Sequence, residues 1–422
     1  MTSKERLIAA INHKQPDRVP LDIGSTAISG IHALPLSKMR QKLGLPNRPI
    51  KVFEVLQQLG MVEFDDIEAF KIDVCGIISY KNVVGICNTE FVPYNNNFGI
   101  DALCAKGYIT KKDERNGYTY TYPQGDISAG PSMRMPEGGY FFDNIDRSPD
   151  TLDSENLDPK SDFADSFAVI GDTEAEFYHK QAKYIKTETD LGAVGNLAPA
   201  GFGDVALIPG ASLKKPRGIR SVTEFAMAHK LMPDYIHGLY EMQCEIGLKN
   251  LEIYRQAVGD SIQVIVMGGT DFGTQRSLMI SEDDFRAFYF PYWKRLNDWV
   301  HENTGWKTFY HTCGSISPLI PTFIEAGADI LNPVQCSAYG MDAKTLKKQF
   351  GDKITFWGGG MDTQFTLPKG TPEQVRAMVR ERIDTFSPGG GFVFNTVHNI
   401  QADTPIENIA AMLDEFFSYQ KG

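Results

Sequence analysis

Residues 307–335 read KTFYHTCGSISPLIPTFIEAGADILNPVQ, and their pattern guides the interpretation of the whole chain. An apolar run at 307–313 leads through a glycine into a helical stretch at 317–327, and a second apolar run follows at 329–334. Strand, helix and strand in this order predict two parallel strands, because a parallel connection needs a long crossover that is usually helical.

The same alternation continues through most of the chain. Val19–Ile23 predicts a first strand and Ile72–Tyr80 predicts another. Further strand-like runs lie at 193–198, 262–268, 354–358 and 391–395, and helical stretches lie at 222–257, 281–303, 342–350, 371–386 and 405–419. So many strand–helix units predict an α/β protein with a (β/α)8 TIM barrel, and we expect residues 1–422 to form a single domain.

Three segments depart from this rhythm. Residues 3–12 predict a helix that extends the barrel at its N-terminus, and Lys51–Leu59 also predicts a helix. Residues from about 85 to 165 are rich in Gly, Asn, Tyr and Thr, and they include the alternating stretch Tyr118–Tyr122. This texture predicts an antiparallel β insertion over one end of the barrel, with an acidic surface loop at 146–165.

Composition limits the functional classes. The net charge of −11 argues against a nucleic-acid partner, which would need a basic surface. No apolar run approaches the length of about 18 residues that predicts a membrane span. The start at Met1-Thr-Ser-Lys-Glu-Arg has no secretory pattern, so we expect a cytoplasmic protein. Its six scattered cysteines are then reduced, and metal binding or catalysis is favoured over disulfides.

The side chains that follow the strands are the candidates for chemistry, because TIM-barrel active sites lie at the C-terminal strand ends. His311 and Cys313 are two residues apart on one strand, so both face the same side. Imidazole and thiolate together suit zinc. A third ligand must come from another strand end, where His398 and Cys336 are the candidates. The alternative is that His311 and Cys313 are buried core residues without a metal.

Other polar residues stand at the same strand ends. The sequence predicts Asp271 as a catalytic carboxylate and Gln275, Gln335, Asp362 and Asn395 as substrate contacts. Capping of the loops is the alternative role for these residues.

Four stretches resemble a known family. They are ERLIAAINHKQPDRVPLDIG (5–24), DFGTQRSLMISEDDF (271–285), HTCGSISPLIPTFIEAGADILNPVQ (311–335) and GDKITFWGGGMDTQ (351–364). Together they resemble the uroporphyrinogen decarboxylase superfamily, and more narrowly its cobalamin-dependent methyltransferase branch. The resemblance covers the start and nearly everything after about residue 215, and it implies a TIM barrel.

The decarboxylase itself is a poor match. That enzyme carries an Arg-rich segment of the RQAGR type near its start, which binds propionate groups. Here Gly24–Gly30 reads GSTAISG and contains no arginine. A substrate with many carboxylates would lack its cationic partners.

The methyltransferase branch holds zinc through His-x-Cys and a distant Cys. His311 and Cys313 match the first pair, while His398 stands where the distant Cys would be, ahead of the helix start Thr404–Asn408. The resemblance therefore implies a zinc site of His311, Cys313 and His398. Replacing a thiolate by a neutral imidazole adds one positive charge to the site, which favours polarising an ether oxygen over activating a thiol.

The implied function is that of a zinc-dependent methyltransferase I of an O-demethylase, which moves a methyl group from a methoxylated, aromatic substrate to cobalt. The chain has no Asp-x-His-x-x-Gly cobalamin motif, so cobalamin would arrive on a corrinoid partner protein. The alternatives are a methylcobamide:thiol methyltransferase, a decarboxylase-like enzyme without metal, and a non-catalytic binding protein. The sequence leaves the oligomeric state open, a homodimer included.

Overall fold

Strands and helices alternate along the chain, as the computed structural model shows for residues 1–148, 157–197 and 201–420, the part that the structure describes. In chain order the strands are β1 (Ile50–Glu54), β2 (Leu59–Gly60), β3 (Val74–Ile77), β4 (Phe91–Tyr94), β5 (Ala102–Ala105), β6 (Thr110–Lys112), β7 (Thr119–Thr121), β8 (Met133–Met135), β9 (Asp143–Asn144), β10 (Gly192–Gly195), β11 (Val264–Gly268), β12 (Lys307–His311), β13 (Ile330–Asn332), β14 (Thr355–Trp357) and β15 (Phe392–Val393).

The helices lie between these strands and at both ends of the described chain. They are α1 (Ser3–Ile11), α2 (Ala33–Lys42), α3 (Phe64–Phe70), α4 (Pro159–Asp162), α5 (Asp172–Glu188), α6 (Val222–Leu231), α7 (Pro233–Val258), α8 (Glu282–Phe288), α9 (Phe290–Asn303), α10 (Ile320–Glu325), α11 (Ala343–Phe350), α12 (Thr366–Lys369), α13 (Pro372–Phe386) and α14 (Ile406–Tyr419). Within the described ranges, no helix is both long and apolar enough to cross a membrane.

Seven strands form one parallel sheet in the order β15, β14, β13, β12, β11, β10 and β3. The gap between its two edges is filled by residues 20–22. Leu21 pairs in parallel with Phe394, and the Phe394 amide donates to the Pro20 carbonyl at 2.9 Å. On the other side the Asp73 amide donates to the Leu21 carbonyl at 2.9 Å. The predicted (β/α)8 barrel is therefore confirmed, with the predicted strand at 19–23 as its closing member.

The barrel interior is filled by alternate residues of its strands. Val264 and Val266 of β11 face inward with Phe309 of β12, as the two-residue period of a strand requires. Helix α1 covers one end of the barrel, where Leu7 and Ile11 join the same buried cluster. The predicted N-terminal extension thus closes the barrel at one end.

The predicted β insertion is present as two small sheets. Strands β6, β7, β8 and β9 pair in antiparallel fashion throughout. The second sheet has the order β2, β1, β5 and β4, and in it β1 runs parallel to β5. Of the loop predicted at 146–165, residues 149–156 lie outside the described residues, as does residue 198 of the strand predicted at 193–198.

The helix predicted at Lys51–Leu59 is wrong, because this segment contributes strands β1 and β2 instead. Val52 lies opposite Cys104 of β5 and opposite Gly60 of β2. Pairing with a strand about fifty residues away satisfies the backbone of β1, and no local pattern reveals such a partner. Tertiary pairing therefore overrides the local helical pattern.

A buried carboxylate ties the chain start to the closing strand. Asp73 is fully buried immediately before β3, and it accepts hydrogen bonds from Arg6 Nη1 at 2.7 Å and Arg18 Nη1 at 2.6 Å. The backbone amide of Leu21 donates to it at 2.8 Å. One side chain therefore holds helix α1, the closing segment and β3 together.

Replacing Asp73 by alanine should lower the free energy of unfolding by about 3–5 kcal/mol, because the buried Arg6 guanidinium would lose a partner. Urea denaturation followed by circular dichroism measures this change. Asp298→Ala is the matched control, since it removes an exposed partner of Lys294 and should cost less than about 1 kcal/mol. Equal effects of the two substitutions would contradict the assigned role of Asp73.

A neutral histidine joins the insertion to the barrel. His32 is fully buried, with Nε2 at 3.0 Å from the carbonyl of Tyr140 and Nδ1 accepting from the amide of Leu34 at 3.1 Å. The edge of its ring meets Phe98, at a centroid distance of 4.6 Å. Burial lowers the pKa of His32 to about 4, so the contact requires the uncharged imidazole.

Because the unfolded chain binds a proton at His32 more tightly than the folded chain, stability should fall as the pH drops from the unfolded to the folded pKa. Between pH 7 and pH 5 this residue should remove about 2 kcal/mol of stability. Urea titrations at both pH values measure the difference. His32→Asn should lose this share of the pH dependence, whereas His179→Asn, at an exposed position, should keep it.

Candidate metal centre

Three side chains that could hold a metal ion converge at the end of the barrel where the strands finish. His311 is the last residue of β12, Cys313 follows two positions later, and His398 lies in the loop after β15. Phe309 points into the barrel, so the strand period also turns His311 inward. The barrel thus brings together two segments almost ninety residues apart in sequence.

The donor atoms of these residues are close enough to share one ion. One ligand atom each from His311, Cys313 and His398 lies within 4.8 Å of the other two. Cys313 Sγ is 3.5 Å from His311 Nε2, and the two imidazole centroids are 5.2 Å apart. Three donors in this arrangement leave further positions around an ion open, as catalytic zinc sites do.

The hydrogen bonds around His311 select the nitrogen that faces Cys313. His311 Nδ1 lies 2.6 Å from Asn332 Oδ1, and Asn332 Nδ2 donates to the carbonyl of Trp357 at 2.9 Å. The amide of Asn332 is thereby oriented, so its oxygen accepts a proton from Nδ1. The Nε2 lone pair is left for a cation. Metal-bound histidines carry this kind of outer partner, and the site fits a metal on that observation.

The loop that carries His398 is held by its neighbour Asn399. Asn399 Oδ1 accepts from the Gly30 amide at 2.5 Å, while Nδ2 donates to Ala27 at 2.9 Å and to Gln57 at 2.8 Å. His398 itself has a positive φ of 96°, an uncommon conformation for a side-chain-bearing residue. The loop after the closing segment and the turn between β1 and β2 therefore fix the position of the third donor.

Burial keeps all three donors uncharged in the absence of a cation. It lowers the pKa of His398 to about 3, with a further contribution from His311, and it lowers the pKa of His311 itself. Burial and the nearby Asp271 carboxylate raise the pKa of the Cys313 thiol. Neutral imidazoles are the ligand form of histidine, and a bound cation would compensate the cost of forming the thiolate.

Two of the other predicted residues adjoin these donors. Asp271 Oδ1 accepts from the Cys313 amide at 2.7 Å and lies 3.9 Å from His311 Nε2. Its side chain is 47% exposed, which leaves it accessible at the barrel mouth. Gln335 is buried, and its Oε1 accepts from the Gly314 amide at 2.8 Å, so it holds the turn that follows Cys313.

Two of the remaining predicted contacts form hydrogen bonds with the backbone of other segments or of their own loop. Asp362 Oδ2 accepts from the amides of Phe365 and Thr366 at 2.7 Å each, which makes it a cap of α12. Asn395 Nδ2 donates to the Asp22 carbonyl at 2.9 Å, so it braces the closing segment. Gln275 is exposed on the loop that carries Asp271. For Asp362 and Asn395 the geometry favours the capping and bracing alternative.

The sequence offered two candidates for the third ligand, and it did not reveal the roles of Asn332 and Asp204. The metal-compatible group contains His398 and not Cys336, which is half-buried against apolar neighbours. Asn332 went unnoticed although it ends a strand, because its amide side chain is not itself a ligand. Asp204 also went unnoticed; it lies after the strand end of β10, where the same rule of strand ends could have found it.

Comparison with known proteins supports the fold and finds a family match over part of the chain. Residues 218–419 match the family model described as uroporphyrinogen decarboxylase (URO-D). The URO-D-like region thus covers the second half of the chain and includes all three donors.

Curated relatives agree with this match over a limited length. The uroporphyrinogen decarboxylase of Mannheimia succiniciproducens is 26% identical over 211 residues, which cover 48% of this chain and 54% of that protein. The decarboxylase of Bordetella petrii is 25% identical over 199 residues, 45% of this chain and 50% of that protein. The chain therefore spans about half the length of the curated relatives it matches.

A solved structure shares the fold over the whole length. It is described as a methyltransferase from Methanosarcina mazei, and it superposes with a TM-score of 0.57 at 17% identity, covering 99% of both chains. The region matched by the family model and the half of the chain that precedes it therefore share the fold of that solved structure.

His398→Ala should reduce zinc binding far more than Cys336→Ala, because only His398 belongs to the converging group. Metal content after dialysis, measured by plasma mass spectrometry, checks this for both variants and the wild type. The loss should exceed the roughly 10- to 100-fold drop in affinity that follows removal of an outer partner. Zinc retained in His398→Ala and lost in Cys336→Ala would reverse the assignment.

Proposed function

We propose that this protein is a zinc-dependent methyltransferase I of an O-demethylase system. It would move a methyl group from a methoxylated, aromatic substrate to the Co(I) of a separate corrinoid protein. The observation that carries the proposal is the convergence of His311, Cys313 and His398, with donor atoms within 4.8 Å, at the barrel end where TIM-barrel enzymes have their active sites.

Zinc suits the chemistry of this donor set. His311, Cys313 and His398 would hold it, since zinc binds imidazole nitrogen and thiolate sulfur and keeps an open position in catalytic sites. Bound there, zinc supplies a Lewis acid that polarises the oxygen of a methoxy group. Two neutral imidazoles and one thiolate leave the site with a net positive charge, which favours an ether oxygen over a thiol.

The surrounding residues would bind and orient the substrate. Asp271 is accessible, and in the described part of the chain only its Oδ1 is engaged, by the Cys313 amide. We propose that Asp271 and Gln275, on the same loop, contact the substrate. Gln335, Asp362 and Asn395 would act on it only through the loops that they hold.

A metal-free decarboxylase-like enzyme is the second candidate, because the curated relatives are uroporphyrinogen decarboxylases. The lack of arginine in Gly24–Gly30 argues against it, since a polycarboxylate substrate needs cationic partners. A methylcobamide:thiol methyltransferase would use the same three donors, and substrate tests distinguish it.

The zinc-loaded protein, supplied with a Co(I) corrinoid protein and methoxyarenes, should form methylcobalt and a phenol, followed by the cobalt absorbance spectrum. Cys313→Ser should lower the rate by more than about 100-fold, because it removes a ligand rather than an outer partner. Cys336→Ala should keep the wild-type rate.

Three parallel assays can reject the proposal. Methyl transfer from methylcobalamin to thiols, without demethylation of methoxyarenes, would identify a thiol methyltransferase. Release of carbon dioxide from uroporphyrinogen by the protein after chelation of its metal would identify the decarboxylase-like alternative. Full demethylase activity in Cys313→Ser would remove the metal from the mechanism.

A further inference from the structure

A second carboxylate lies beside the loop that carries Asp271, and the function described so far does not use it. Asp204 stands in the loop after β10, the barrel strand next to β11. The hydroxyl of Thr270 donates to the carbonyl of Gly203, which joins this loop to the one that carries Asp271. Asp204 is thereby held beside the loop that contacts Cys313.

The two carboxylate oxygens of Asp204 differ in their hydrogen bonding. Oδ1 accepts from the Ala206 amide at 2.9 Å and caps the short helix Val205–Leu207. Across the described residues, Oδ2 accepts no hydrogen bond. It faces Gly269, where a β-carbon would lie 3.3 Å from it. Gly269 lies two positions before Asp271. Because it has no side chain, there is space beside Oδ2 of Asp204.

The surroundings of Asp204 favour its protonated form. Burial raises the pKa of Asp204 to about 6, and the negative charge of Asp271 adds to this rise. The other titratable group facing it is Tyr289, whose hydroxyl is bonded to that of Tyr240 at 2.9 Å. Among the described residues no cation faces this half-buried carboxylate, and the hydrogen bond from the Ala206 amide is the contact that lowers its pKa.

We propose that Asp204 is the proton donor to the leaving oxygen, an inference that rests on the demethylase function proposed above. When the bond between the methyl carbon and oxygen breaks, its electron pair stays on oxygen. The electron pair of Co(I) on the partner forms the new bond to carbon. The proton of Asp204 Oδ2 moves to the oxygen, the phenol leaves, and the carboxylate regains a proton from solvent.

The first test does not depend on activity. Asp204→Asn keeps an acceptor for the Ala206 amide and removes the titrating oxygen. Infrared difference spectra between about pH 5 and pH 8 should contain the carbonyl band of protonated carboxyls, to which Asp22 and Glu54 also contribute, and the variant should lose the share of Asp204. Asp126→Asn is the matched control, since Asp126 likewise caps a three-residue helix through Ser128 and should leave the band unchanged. A band of unchanged intensity in Asp204→Asn overturns the proposal.

The second test uses a series of methoxyarenes whose phenols differ in acidity. Asp204→Asn should slow demethylation of the least acidic phenols by about 10²- to 10⁴-fold and that of a nitrophenol by less than about tenfold. The wild-type rate should fall as the pH rises through the pKa of Asp204, and the variant should lose this dependence.

The outcomes separate the two proposals. A uniform loss across the series would mean that Asp204 only supports its loop, and an unchanged rate would mean that it donates no proton; either result overturns the donor role alone. Wild-type protein that demethylates no methoxyarene overturns the proposed function and the donor role with it.

Discussion

The parallel sheet closes on itself where residues 20–22 lie between β15 and Asp73. Because the barrel strands are parallel, their C-terminal ends lie on one face. The closed barrel then brings the loop after β15 close to the end of β12, where the candidate centre lies. The side chain of Asp73 sits at the junction with two arginines and the Leu21 amide, so the start of the chain is held by buried charge. A weaker closure would leave the loop after β15, and therefore His398, without a fixed distance to β12.

The same closure positions the third donor in detail. The segment after residue 22 runs directly beside the loop of His398, where Asn399 bonds Gly30 and Ala27. The turn between β1 and β2 adds Gln57 to this contact. The insertion sheets thus contribute to the site, since one of them shares β1 with that turn. A barrel without these strands would present His311 and Cys313 with a loosely held partner.

Charge balance accounts for the chemistry that this site can support. Neutral imidazoles, a protonated thiol and nearby carboxylates leave the donors without a positive charge of their own, and a divalent cation would supply it. Because two of the three donors are neutral imidazoles, an ion bound there would keep more of its positive charge than it would with two thiolates. The carboxylates of Asp271 and Asp204 stand on the loops after β11 and β10, at the same end of the barrel as the three donors.

His398 was implied as third ligand only by the family resemblance, whereas the pattern of the sequence by itself determined the barrel, the N-terminal helix, the β insertion and the pair His311 and Cys313. Those features follow from periodicities of two and 3.6 residues and from the rule that parallel strands end on one face. Tertiary structure alone decided that Lys51–Leu59 forms strands, since the partner of β1 is β5, beyond any local window. It also decided that Asn332 orients His311, that Asp362 caps a helix, and that Asp204 Oδ2 accepts no hydrogen bond within the described ranges. The contact between Asn332 and His311 joins two neighbouring strands, so it forms only when the sheet has assembled. The bonds of Asp362 and Asp204 are local, and the folded loops decide which oxygen of each side chain they engage.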